Sequence, residues 1–263
     1  ALEVFAKEGV ACSWSIHVEK IDCLTEDIIA PDMEKDQVYR LLKQRAGLAK
    51  GLGLEIRDLK AGYPGKIVLS GLNLSMEPGE KLAVTGDNGA GKSTLLKTLI
   101  GSLPLLEGEI IIGGKDIGKT RKIPSHVGYV TQAIEASAYP LTAFEIVSAG
   151  MLGIKIPDSE KRHKIEIAMR RTGCFHLKDE NFYALSGGER QRVSLARCLC
   201  QEAGLILMDE PTSFLDREAK KELIYFLNSV ISRQMLTVLL VSHDHEWLEN
   251  LAWPVRKLSE GRL

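Results

Sequence analysis

The sequence predicts an α/β fold built around a mainly parallel sheet. Three observations predict it. Short apolar runs at residues 81–85, 127–131, 205–208 and 237–241 read as buried strands, with helical patterns between them. The first run enters a glycine-rich loop, and a helix leaves that loop at Lys92. The run at 205–208 ends in two adjacent carboxylates, Asp209 and Glu210. The carboxyl ends of such strands are where open α/β sheets present their ligand sites.

Residues 1–52 differ in texture from the rest and are expected to form a small α/β extension. Val10, Cys12, Trp14, Ile16 and Val18 recur with a period of two, as a strand does. Residues 32–46 carry Val38, Leu41, Leu42 and Arg45 near helical spacing, and Gly47, Gly51 and Gly53 suggest a linker. No chemistry is assigned to this segment. A regulatory module, a dimerisation element and the remainder of a larger fused chain are all compatible with it. Residues 53–263 form the second expected domain. In it, 54–59 and 67–76 read as strands, 77–80 as a turn, 81–85 as a strand and 92–100 as a helix. The stretch of about 133–185 is dominated by helical patterns and is expected to form a separate helical lobe.

Bulk composition limits the functional classes. Of 263 residues, 44% are apolar and 26% charged, which is ordinary for a globular domain and disfavours disorder. A net charge of −1, from 34 basic and 35 acidic residues, supplies no overall basic excess for a nucleic-acid backbone. The five cysteines, Cys12, Cys23, Cys174, Cys198 and Cys200, have no zinc-like spacing. They are read as reduced thiols serving as small core residues. No run reaches the ~18 to 20 apolar residues of a membrane span. Ala1 in place of Met is compatible with a processed or engineered fragment, and no C-terminal regulatory domain is expected beyond the last apolar strand.

Gly86-Asp87-Asn88-Gly89-Ala90-Gly91-Lys92-Ser93-Thr94 fits G-x-x-x-x-G-K-[ST], the phosphate-binding P-loop. The glycines permit backbone turns and close approaches that a Cβ would block, so successive N–H groups can face one anion. The helix that follows adds its free N–H groups and the positive end of its dipole. Lys92 is expected at the β- and γ-phosphates, and the Ser93 hydroxyl on Mg²⁺. Asp209 is expected near the metal through a water. Glu210, on the opposite face by strand alternation, can take a proton from an attacking water or orient it.

Leu185-Ser186-Gly187-Gly188-Glu189-Arg190-Gln191-Arg192 resembles the signature of ATP-binding cassette (ABC) ATPases. Ser186 also reads simply as a helix N-cap. The resemblance runs from about residue 54 to 263. It implies a P-loop NTPase fold with a mainly parallel core sheet, an antiparallel β subdomain and a helical lobe. It also implies ATP and Mg²⁺ as ligands. Tyr63 stands where the family stacks an aromatic on adenine, although an ordinary surface tyrosine fits it too. Gln132 matches the glutamine that touches Mg²⁺ and links the site to the lobe. Ser213-Phe214-Leu215-Asp216 matches the interface segment, with Phe214 where Ala is usual. His243 matches the γ-phosphate sensor.

The resemblance further implies that Ser186, Gly187 and Gly188 serve ATP held by an opposing subunit, so that two cassettes close on two nucleotides. A homodimer is therefore expected. Among metal-ion, siderophore and vitamin importers the ATPase is a separate chain at the cytoplasmic face, docked on polytopic permease subunits. Residues 139–153 are similar to the lobe of such ATPases. A cluster-assembly ATPase and the ATPase of a split exporter are the alternatives.

Overall fold

The computed structural model describes residues 51–120, 126–131, 140–213, 215–231, 235–259 and 261–263. The expected strand and helix within residues 1–52, Cys12, Cys23, Gln132 and Phe214 lie outside the described residues.

Two sheets share the work. The antiparallel sheet has the order β2-β1-β4-β5, from β1 (Leu54–Tyr63), β2 (Lys66–Met76), β4 (Leu105–Ile112) and β5 (Lys115–Asp116). The parallel sheet has the order β6-β7-β8-β3-β9, from β3 (Lys81–Thr85), β6 (Val127–Val130), β7 (Leu205–Asp209), β8 (Thr237–Val241) and β9 (Val255–Lys257). Helix α1 (Lys92–Leu99) follows β3, and the short α2 (Ile117–Thr120) follows β5. Helices α3 (Ala143–Ser148), α4 (Asp158–Arg171) and α5 (Gly187–Cys200) lie between β6 and β7. Helix α6 (Arg217–Phe226) follows β7, and α7 (His245–Leu251) follows β8.

The parallel strands read as unbroken apolar runs because both of their faces are covered. On one face Leu82, Val84, Leu205, Leu207, Leu239 and Val241 meet α1 and the antiparallel sheet. On the other, Ala83, Ile206, Met208, Val238 and Leu240 meet Leu223, Trp247, Leu248 and Leu251 of α6 and α7. Full burial of each such leucine contributes roughly 1.5–3 kcal/mol, so this double layer fixes the strand ends that carry the site.

In β1 the buried residues run Leu54, Ile56, then Leu59, Ala61. The parity changes at Asp58, whose φ of 51° makes a bulge held by a hydrogen bond from its N–H to Asn73 Oδ1 at 2.9 Å. The strand therefore continues past the expected residue 59 to Tyr63.

Helix α5 joins two cores. Leu195 and Cys198 pack beneath the parallel sheet. Val193, Ala196 and Cys200 pack with Val147, Met169 and Phe182 of the helical lobe. Cys174, Cys198 and Cys200 are buried free thiols, and burial pushes Cys200 up to about 11. No helix among the described residues is long and apolar enough to cross a membrane.

Candidate functional site

Strand β3 delivers the chain into the 86–91 loop at the carboxyl edge of the parallel sheet. A Cβ at Gly86 would come within 2.4 Å of the Leu258 carbonyl, and one at Gly91 within 2.5 Å of Leu69 Cδ2. Gly91, at φ 104°, is the N-cap of α1, and Gly89, at φ 86°, faces open space. Glycine meets the positive φ at 89 and 91 and the close approaches at 86 and 91 without strain.

The Lys92 ammonium is buried inside this loop and donates to the carbonyls of Gly86 at 2.7 Å and Asp87 at 3.2 Å. It also lies 3.8 Å from Glu210 Oε1. Ala90 N–H closes the turn on the Asp87 carbonyl at 3.1 Å, while Asn88 remains exposed.

Asp209 closes β7 directly behind the start of α1. Its Oδ1 accepts from Ser93 Oγ at 3.0 Å and its Oδ2 from the Tyr129 hydroxyl at 3.1 Å. Burial raises the Asp209 carboxyl above its ordinary range, helped by the charge of Glu210 and opposed by those two hydrogen bonds. Burial also raises the Tyr129 phenol, and the adjacent Asp209 charge reinforces this.

Glu210 leaves the strand with φ 47°, a left-handed conformation that is uncommon outside glycine. The bend ends the strand alternation and turns the carboxylate towards Lys92 and His243. Oε2 accepts from the His243 backbone N–H at 3.1 Å and stands 2.8 Å from His243 Nδ1.

Lys92, Ser93, Glu210 and His243 line a cavity of about 430 Å³ whose walls also include Tyr63, Lys66, Val68, Asn88, Gly89, Gly91 and Thr94, while Asp209 and Tyr129 do not line it. Tyr63, 43% exposed, stands on its wall. Lys66, Val68 and Tyr129 were not anticipated from the sequence. Lys66 pairs with Tyr63 in the antiparallel register, so only knowledge of the β1–β2 hairpin reveals it.

Other expected site residues do not line this cavity. Ser186 caps α5 in a capping box: its hydroxyl accepts from Glu189 N–H at 3.4 Å and donates to Glu189 Oε2 at 2.8 Å. Those bonds from the Ser186 hydroxyl and N–H hold the Glu189 carboxyl below its usual range. The cap satisfies Glu189 N–H, and among the described residues no hydrogen bond is made by the N–H groups of Gly187 and Gly188. Asp216 caps α6 through Ala219 N–H at 2.8 Å and is exposed.

A sequence model of the family described as ABC transporter matches residues 69–213. The chain belongs to the ABC transporter family. As such it is an ATP-hydrolysing, nucleotide-binding cassette. It is 35% identical over 215 residues to the energy-coupling factor transporter ATP-binding protein EcfA of Methanothermobacter thermautotrophicus, covering 80% of this chain and 69% of that one. It is 34% identical over 215 residues to the cobalt import ATP-binding protein CbiO of Rhodobacter capsulatus, covering 80% of this chain and 76% of that one. Among solved structures it resembles cbiO1 from Clostridium perfringens, described as part of the ABC transporter complex cbiONQ. That likeness has a TM-score of 0.71 and 31% identity, over 80% of this chain and 85% of the other. The fold described above, a parallel sheet, an antiparallel sheet and helices, is that of an ABC ATPase cassette.

Proposed function

We propose that this ABC cassette powers solute import through separate polytopic membrane subunits. In this reading it hydrolyses ATP at sites that two copies complete face to face at the cytoplasmic side of the membrane. One observation carries the pairing. Lys92, Ser93, Glu210 and His243 line one open cavity, while the exposed cap at Ser186, with N–H groups at Gly187 and Gly188 that find no partner among the described residues, lies on another element and does not line it. A second copy supplies the missing wall. The names of the relatives, an energy-coupling factor transporter and a cobalt importer, support import.

The donor set suits a small hard cation. The Ser93 hydroxyl and the Asp209 carboxylate stand 3.0 Å apart at the mouth of the phosphate loop. Among the described residues no three His, Cys, Asp or Glu side chains group to hold a metal. Such a site fits Mg²⁺, which keeps waters and phosphate oxygens as most of its ligands. Ser93 would hold it directly, with Asp209 behind, and Gln132 by family resemblance. When bound, Mg²⁺ neutralises charge on the β- and γ-phosphates.

The remaining chemistry belongs to the chain. The triphosphate lies along the N–H groups of the 86–91 loop, and Lys92 turns its ammonium from loop carbonyls to phosphate oxygens. Tyr63 stacks on the adenine. Glu210 orients a water and takes its proton as the water oxygen bonds the γ-phosphorus. The bond from that phosphorus to the β–γ bridging oxygen breaks, giving ADP and phosphate. His243 holds Glu210 and senses the γ-phosphate. Ser186 and Gly188 of the second copy, with Asp216 at the contact between copies, stabilise the phosphoryl charge.

Two experiments test this. Purified full-length chain should release phosphate from Mg-ATP. From its native membranes it should co-purify with a polytopic protein, and repeated absence of that partner would overturn the import reading. We also assign residues 1–52 as an extension separate from the 53–263 cassette, whose helical lobe is about 133–185. Deleting 1–50 should leave turnover intact if the extension does not control the cassette.

A further inference from the structure

Tyr129 sits on β6, an edge strand of the parallel sheet, yet its hydroxyl reaches across to β7 and donates to Asp209 Oδ2 at 3.1 Å. Ser93 occupies the other oxygen at 3.0 Å. The carboxylate is thus gripped at both oxygens, and the plane it presents behind Ser93 is set by the tyrosine.

Strand β6 is in turn fastened to helix α5. Arg197 Nη2 donates to the Tyr129 carbonyl at 2.5 Å, and Gln201 Nε2 donates to the Val127 carbonyl at 3.0 Å. Between them, a Cβ on Gly128 would come within 2.7 Å of Cys198 Sγ, so the strand lies flush on the helix. Three successive residues of β6 are therefore held by the last turn of α5 and its C-cap residue Gln201. The N-terminus of the same helix is the Ser186 cap. Packed, hydrogen-bonded elements of this kind are what carries coupling between distant sites when they have two arrangements.

We propose that Tyr129 is a positioning residue for Asp209 and that Arg197 ties it to α5, so that seating the Ser186 end of a copy sets the metal-holding geometry in that copy's own site. This deepens the reading above and rests on Ser93 and Asp209 holding the cation. A local consequence separates the idea from simple packing. Removing one hydroxyl from the half-buried ring should loosen the metal while leaving the phosphate loop, and hence metal-free nucleotide binding, unchanged.

The test uses full-length protein, Mn²⁺ as a paramagnetic probe and ATP. Electron paramagnetic resonance titration measures Mn²⁺ affinity at saturating ATP, and equilibrium binding in EDTA measures ATP alone. Tyr129→Phe is expected to weaken Mn²⁺ about tenfold, the low end for losing a partner that orients a metal-holding group. Its ATP affinity in EDTA should stay within twofold. Arg197→Lys, which keeps a cation at the carbonyl, should preserve Mn²⁺ affinity, and Arg197→Ala should weaken it. Unchanged Mn²⁺ affinity in Tyr129→Phe would overturn the proposal, as would an equal loss of ATP binding in EDTA. A folded Arg197→Ala variant with wild-type Mn²⁺ affinity would overturn the link to α5, whatever its melting temperature. Failure of the wild-type protein itself to bind Mn²⁺ with ATP would instead reject the underlying assignment of Ser93 and Asp209.

Discussion

His243 meets Glu210 twice at one oxygen: the ring Nδ1 stands 2.8 Å from Oε2, and the backbone N–H donates to the same atom at 3.1 Å. The second bond survives any change of side chain. His243→Ala should therefore leave Glu210 partly oriented, and ATP affinity should stay within a few-fold. Turnover is expected to fall about 10²-fold, the low end for loss of general acid–base support. Glu210→Gln, which removes the proton acceptor, should fall further, towards about 10⁴-fold. Phosphate release beside equilibrium ATP binding checks both. An affinity loss that matches the rate loss would assign His243 to ground-state binding instead.

Ser186 carries a structural and a chemical duty that can be separated. As the cap of α5 its loss should cost about 1 kcal/mol. As a donor to the opposing nucleotide its loss should cost turnover far beyond that destabilisation. Ser186→Ala should lower the melting temperature by a few degrees and reduce phosphate release at least tenfold at a temperature where it is fully folded. Ser186→Thr, which keeps both the cap and the hydroxyl, should recover most of both.

Two loop glycines should behave differently. Gly91 has φ 104° and a would-be Cβ contact of 2.5 Å to Leu69, whereas Gly89 has φ 86° and nothing within 4 Å. Gly89→Ala should bear only the left-handed backbone cost of about 1–2 kcal/mol. Gly91→Ala should add an overpacking cost of about 1–3 kcal/mol. Urea denaturation gives the comparison. Equal destabilisation would mean that Leu69 yields without cost.

The Asp209 carboxyl is raised from its ordinary 3.8 chiefly by burial. A value higher in the fold than in the unfolded chain means that the fold binds this proton more tightly. The associated stability is full below the unfolded value and is lost as pH rises through the folded one. Asp209→Asn removes that loss. Its melting temperature should exceed the wild type's at neutral pH, with the gain shrinking as pH falls towards about 4, while Mg²⁺-dependent turnover disappears. A gain that does not vary with pH would contradict the burial argument.

Much of this site could be read before any coordinates. The strands at 81–85 and 237–241 match β3 and β8 in both bounds, because strands covered on both faces leave continuous apolar runs. The Ser186 cap was visible because capping is a local rule. Strand β4 was missed because Glu107-Gly108-Glu109 interrupts its apolar pattern, and β9 because all of its residues are exposed. Tyr129 was missed for a different reason. On an apolar strand it reads as core, and its partner Asp209 lies 80 residues away. The left-handed turn at Glu210 was equally illegible, since no glycine marks it.

Light scattering of the Glu210→Gln variant with saturating Mg-ATP tests the shared site most directly. A particle of two cassettes holding two ATP molecules is expected, reverting to single chains when Ser186→Ala is added. A variant saturated with ATP that keeps the mass of one chain would contradict a nucleotide held between two copies.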